Sequence, residues 1–287
     1  IYLYNQWRVN RSGGYRGSFI FTVISLMKKR KKTKKNFGFI PPVVTETDFW
    51  LGSKKLGSEV INPSGDWRGF LPILEHQNKG FETSACISFG TLSALEMIHK
   101  LLYSLEPNYS DRFLAKMSGT DPAVGNNPKT VSDTLRHNGM VSEATYPMTS
   151  TLSEYYQEIP QSVRDIGLEW LKNYGFGYEY TDDLREGLKR SPVGVAVQAW
   201  YQNSAGEYVR KGASNHWCVL VAFDNDRPII WDSYDSGLKT LAKGYQLEFA
   251  QIYTLKKKES LLNPELSDYK AGNHYLNMLK RVWKFLI

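Results

Sequence analysis

Two cysteines in 287 residues are too few for a disulfide framework, so the fold must stand on its core alone. The strongest apolar run, "SFIFTVISLM" over 18–27, is ten residues long and too short to span a bilayer. It is followed by "KKRKKTKK" rather than by small residues, which makes it a poor signal peptide. Four of the five histidines, His76, His99, His137 and His274, have no metal-ligand spacing, and neither a metal nor another cofactor is expected. No internal repeat is visible. The first 36 residues hold ten Lys and Arg and no Asp or Glu, while 256–287 hold seven basic and three acidic residues. The net charge of +7 therefore belongs to the two ends, and the stretch between them is acidic. A nucleic-acid binder would carry its basic face on the body, so nucleic acid is not an expected partner.

What remains is a chain long enough to bury a large core, as one domain or two lobes, with 41 % hydrophobic and 23 % charged residues. Aromatic content of 14 % fits a sheet-rich core. Residues 1–60 read as a basic leader, largely disordered or extended: the lysine run is too charged to pack, and Pro41-Pro42 bars a helix. Met27 could open a protein by itself, with 1–26 as upstream translation or a disordered leader. Residues 61–255 form the expected main domain. The tail, 256–287, carries Leu276, Leu279, Val282, Trp283 and Leu286 at helical spacing among basic residues. It reads as a packed terminal helix, with contact to a partner or a membrane surface as the alternative.

Within the main domain the apolar spacing from Cys86 to Leu102 predicts a mostly buried helix. Further helices are predicted over 129–138, closed by Gly139, over 160–174, and over 182–190 with Asp182 or Thr181 as N-cap. Strands are predicted over 192–200, 216–224, 228–234 and 244–255, the middle two joined by an Asp-Asn-Asp turn. Helices first and an antiparallel sheet afterwards make an α+β protein with two lobes.

Cys86 stands where a loop turns into a helix, and a helix N-terminus favours thiolate. A thiolate nucleophile needs a histidine beside it and a third group to orient the ring. His216 starts one predicted strand, 130 residues on, and Asp232 ends the next, 146 residues on. If these strands pair as a hairpin, both side chains can face one site. Cys218, two residues after His216, reads as a buried core cysteine.

From Gly65 to Leu255 the chain resembles the papain-like cysteine peptidases. "DWRGFLPILEHQ" is similar to the family's mature start and "ACISFGTLSALE" to its nucleophile helix. "GNNPKTVSDTLRHNGMVSEATYPM", "SPVGVAVQAW" and "NHWCVLVAF" resemble three later family segments, in the same order. The resemblance implies a helical left lobe, a barrel-like antiparallel right lobe and a cleft between them. It implies that Cys86 attacks the scissile carbonyl, that His216 pairs with it, and that Asp232, in place of the family's Asn, holds the imidazole. Gln77 would serve the oxyanion together with the Cys86 backbone N–H. Asn126, Asn127 and Pro128 fall where the family binds substrate backbone. Val193, Ala196 and Asn215 fall near the specificity pocket, and Tyr234 replaces the Trp that shields the orienting bond.

The chain also departs from the pattern. Gln77 precedes Cys86 by nine residues instead of six, Ile87 replaces a Trp, and the disulfide cysteines and helical prodomain are missing. An aspartate beside the imidazole is expected to favour its charged form. The implied activity is peptide-bond hydrolysis on a peptide or protein substrate by a monomer. The implied source is bacterial or viral, cytoplasmic or particle-associated rather than lysosomal. The alternatives are a transferase or cell-wall amide hydrolase with the same three residues, or a non-catalytic binding module on the same scaffold.

Overall fold

The computed structural model describes residues 36–45, 48, 49, 51 and 58–258. The expectations for 1–35 and for a helix over 273–287 lie outside these residues.

The centre is helix α1 (Cys86–Tyr103), in which thirteen of eighteen residues are buried. Leu92, Leu95, Met97 and Ile98 are almost fully buried and bind it to the core on several sides. Ser104 adopts a left-handed conformation at its C-terminus, and its N–H reaches back to the Lys100 carbonyl. Helices α2 (Asp111–Met117), α3 (Pro128–Asn138), the single turn α4 (Leu152–Tyr155) and α5 (Gln161–Asn173) follow. In α3, Asn127 caps the Thr130 N–H, Pro128 supplies the first turn, and Gly139 closes the helix.

Six strands then form one antiparallel sheet: β1 (Tyr174–Tyr180), β2 (Val193–Val197), β3 (His216–Asp224), β4 (Arg227–Trp231), β5 (Leu238–Thr240) and β6 (Glu248–Lys257), in the spatial order β1-β6-β2-β3-β4-β5. The sheet is open, with β1 and β5 at its edges, so the barrel-like closure expected from the sequence is corrected to an open sheet. Helix α6 (Leu184–Leu188) sits between β1 and β2, and its N-cap is Asp183, whose carboxylate accepts from the Glu186 N–H, instead of Asp182 or Thr181. β1 precedes α6, so the elements interleave more than a helices-then-strands order allows.

β3 and β4 pair as a hairpin. Its two-residue turn places Asn225 and Asp226 at φ 46° and 64°, the twist that matches the strands it joins. The predicted strand 228–234 ends at Trp231, which leaves Asp232 just beyond the ladder. α1 packs on β3 through Gly90, where an added Cβ would lie 2.9 Å from the buried Trp217 ring. Gly194 in β2 meets the benzo part of the same ring: its Cβ would come within 2.6 Å of Trp217 Cζ2. Among the described residues no helix is long and apolar enough to cross a membrane.

Candidate active site

His216 opens β3 and Asp232 follows β4, so the hairpin brings their side chains together. His216 Nε2 and Asp232 Oδ1 are 2.6 Å apart, and neither side chain has any exposed surface. The other ring nitrogen, Nδ1, is buried and has no hydrogen-bond partner among the described residues. The second carboxylate oxygen of Asp232 accepts from Trp200 Nε1 at 2.8 Å and from Lys239 Nζ at 2.8 Å. Burial works to raise the Asp232 carboxyl, but the attraction of His216 and then of Lys239, with their hydrogen bonds, holds it below the usual carboxylate range.

Cys86 is the first residue of α1 and is fully buried. The backbone N–H groups of Trp217 and Ile87 interact with its sulfur, so the thiol lies against the strand that carries His216. Burial pushes the thiol well above its ordinary value, and the charges of Glu82 and Asp232 push the same way. The helix N-terminus was expected to favour thiolate; in this arrangement burial outweighs it.

Gln77 is also fully buried. Its side-chain amide donates to the Phe37 carbonyl at 3.1 Å and to Glu82 Oε1 at 2.7 Å. Its carbonyl oxygen accepts from Ser233 Oγ, next to Asp232. Glu82 lies in the loop between Gln77 and Cys86 and also takes the Ser84 N–H and the Tyr234 hydroxyl, the latter at 2.5 Å. Tyr234 turns its ring edge to His216, with centroids 5.2 Å apart. Ser84 sits at φ 56°, a left-handed conformation that costs a non-glycine residue energy.

Residues 36–40 run between the elements that carry these side chains. The Phe37 N–H donates to the Asn215 carbonyl. Asn126 donates its N–H to the Gly38 carbonyl and accepts from the Ile40 N–H, a parallel bridge. The Phe37 ring meets both His216 and Tyr234 edge-on, and Phe39 stacks on Trp217. Gly38 is tightly enclosed at φ 106°; a Cβ there would lie 2.2 Å from the Ser84 carbonyl oxygen.

Of the other residues singled out in the sequence, Asn215 also holds the Ala199 N–H through its side chain. Asn127 and Pro128 are engaged in starting α3. Val193 and Ala196 are fully buried in β2, where Ala196 pairs with Trp217. Cys218 is buried and free. Among the described residues no group of three His, Cys, Asp or Glu could hold a metal ion. Sequence reasoning missed Glu82, Trp200 and Lys239. No strand was predicted over Leu238–Thr240, the short edge strand β5, in which Leu238 is 39 % exposed and Lys239 only 2 %.

No family model and no curated protein matches the sequence. Solved structures do. Digestive procathepsin L 3 from the larval midgut of Tenebrio molitor matches over 72 % of this chain and 73 % of its own, with 18 % identity and a TM-score of 0.50. The cysteine protease and lectin-like domains of Cwp84, a surface layer associated protein of Clostridium difficile, match over 67 % of this chain and 51 % of theirs, with 15 % identity and a TM-score of 0.53. The chain has a papain-like fold. At these identities the likeness speaks for the fold, and the papain-like arrangement of helices and antiparallel sheet frames the site just described.

Proposed function

We propose that the protein is a cysteine peptidase in which Cys86 attacks a peptide carbonyl and His216, oriented by Asp232, moves the proton. The observation that carries this reading is the His216–Asp232 contact at 2.6 Å, which uses Nε2 and leaves a buried Nδ1 without a hydrogen-bond partner among the described residues, next in sequence to Trp217, whose backbone N–H works to lower the Cys86 thiol. The papain-like fold supports it, because structural neighbours on this fold are cysteine proteases.

In this reading the Cys86 thiol passes its proton to His216 Nδ1 and the thiolate attacks the carbonyl carbon. The oxyanion is met by the Gln77 amide and the Cys86 backbone N–H, and the imidazolium then protonates the leaving amine. Water hydrolyses the acyl-thioenzyme. The substrate is a peptide or protein lying in a cleft between two lobes. Its backbone meets Asn126 and Asn215, the two residues whose main chains now bond to residues 37–40. Asn127, Pro128, Val193, Ala196 and Tyr234 shape the surroundings. Substrate and oxyanion can enter only after Phe37 and Glu82 give up Gln77.

The test is covalent labelling. The full chain and Cys86→Ala are treated with an epoxide inhibitor of papain-type peptidases from pH 4 to 9. Modification confined to Cys86 and rapid well below the free-thiol pKa of about 8.5 supports the reading. A Cys86 that reacts no faster than free thiol overturns it, in favour of a non-catalytic role for the scaffold.

A further inference from the structure

Among the described residues Lys239 is the one lysine whose ammonium meets Asp232, and its position inverts the ordinary logic of an edge strand. Leu238 points outward and the lysine points in, 2 % exposed. Its Nζ donates to Asp232 Oδ2 and to the Tyr234 carbonyl, both at 2.8 Å. The Trp200 indole closes the same oxygen at 2.8 Å, and the ammonium stands 5.4 Å from that ring's centroid. Burying an ammonium is costly unless a specific carboxylate receives it. A leucine at 239 with an outward lysine would be the cheaper strand.

We propose that Lys239 is a positioning residue: it pairs with Asp232 so that His216 is oriented by a carboxylate whose charge is already balanced. This rests on the reading of His216 as the proton carrier. Asp232 divides its two oxygens, with Oδ1 for the imidazole and Oδ2 for Lys239 and Trp200. The division fixes the carboxylate's rotation and so fixes the ring. It also sets the field at the ring. An ionised Asp232 alone would stabilise imidazolium with a full negative charge and make its proton harder to give up. With Lys239 present the imidazole faces a neutral pair that still offers a strong acceptor.

The other titratable groups around this trio are Cys86 from α1, Glu82 from the preceding loop, Cys218 from β3 and Tyr234 after β4. Asp235 approaches Lys239 at 3.7 Å, but its side chain is 72 % exposed, so water screens it. None of these supplies a second cation to Asp232. Lys239 is therefore the group whose removal leaves His216 facing an unbalanced negative charge.

The experiment is a ring-nitrogen NMR titration of His216 in the full chain labelled with 15N-histidine, the signal being assigned by its loss in His216→Gln. Lys239→Met is expected to move the His216 midpoint up by about one pH unit, and Asp232→Asn to move it down by a similar amount. The double variant is expected to return close to the parent. Opposite signs with mutual rescue are a pattern that a merely structural lysine would not give. Equal midpoints in the parent and Lys239→Met, or shifts of the same sign in both single variants, overturn the proposal. If Lys239→Met does not fold, the double variant, which removes both charges together, is compared with Asp232→Asn, and identical midpoints there overturn it as well. Labelling of Cys86 in the parent is read alongside. A slow thiol with the opposite-sign pattern removes the peptidase reading alone, and a fast thiol without the pattern removes the Lys239 role alone.

Discussion

Phe37 lies edge-on against His216, with ring centroids 5.9 Å apart, and its carbonyl takes one proton of the Gln77 amide at 3.1 Å. One residue thus covers the imidazole and holds the Gln77 amide, the oxyanion donor of the proposed mechanism, at the same time. Phe37→Ala is expected to open both, since it removes the ring from His216 and weakens the hold of 36–40. Labelling of Cys86 should accelerate by about tenfold, the equivalent of losing roughly 1.4 kcal/mol of closing energy. Unchanged labelling in Phe37→Ala would show that this segment does not control access.

Glu82 places a negative charge beside Cys86 and occupies Gln77 at 2.7 Å. Glu82→Gln keeps the shape and removes the charge. The acid limb of the Cys86 labelling profile should move to lower pH, because one of the groups that push the thiol up has gone. A profile superimposable on the parent's would rule out this electrostatic coupling.

A second group of carboxylates bears on stability. Glu96 and Asp111 are buried, and Glu75 and Glu143 lie near them. Burial raises all four, with mutual repulsion adding to it at Asp111, and Glu143 is pushed up to about 7. Arg112 is the cation that opposes this at Glu143. A carboxyl raised in the folded state binds its proton more tightly there than when unfolded. Its contribution is therefore complete below the unfolded value of about 4.5 and is lost as pH climbs towards the folded value. The melting temperature should fall between pH 5 and pH 8. Asp111→Asn should flatten that slope, and calorimetry at several pH values decides it. For Glu143 alone the effect is about 1 kcal/mol after allowing for its partial exposure.

Gly194 has no room for a methyl group between the Tyr253 hydroxyl and the Trp217 ring. Gly194→Ala should cost about 1–3 kcal/mol through overpacking. In a chain of this size that lowers the melting temperature by about 2–4 °C per kcal/mol. A melting curve equal to the parent's would mean that the Trp217 ring relaxes freely.

The sequence made α1, α3, α5 and the β3–β4 hairpin legible because each carries its own local signal: apolar spacing, a cap, a closing glycine or a tight turn. Those signals also led to Cys86, His216 and Asp232. β1 was missed because Tyr174–Tyr180 follows α5 without a break, and its glycines lower strand propensity. The open sheet was not legible because closure depends on which edges pair, a long-range matter that no local pattern records. Lys239 was hidden for a related reason. Its inward face follows from the β4–β5 register, which pairs Lys239 with Ile230 and lets its ammonium reach Asp232 just beyond β4. Glu82 lay in the loop recognised as too long, but only the folded contacts reveal that the loop's carboxylate reaches Gln77.

β3 carries His216 and Trp217 side by side, so their side chains leave opposite faces of the sheet. A slip of one residue against β2 would send the indole towards Asp232 and drive the imidazole between Gly90 and Gly194. Such a chain would lose its hydrophobic centre and its His216–Asp232 pair in the same event. Partial folding therefore cannot assemble this pair around a loose core: any molecule that holds His216 against Asp232 has, by that fact, been proofread for register.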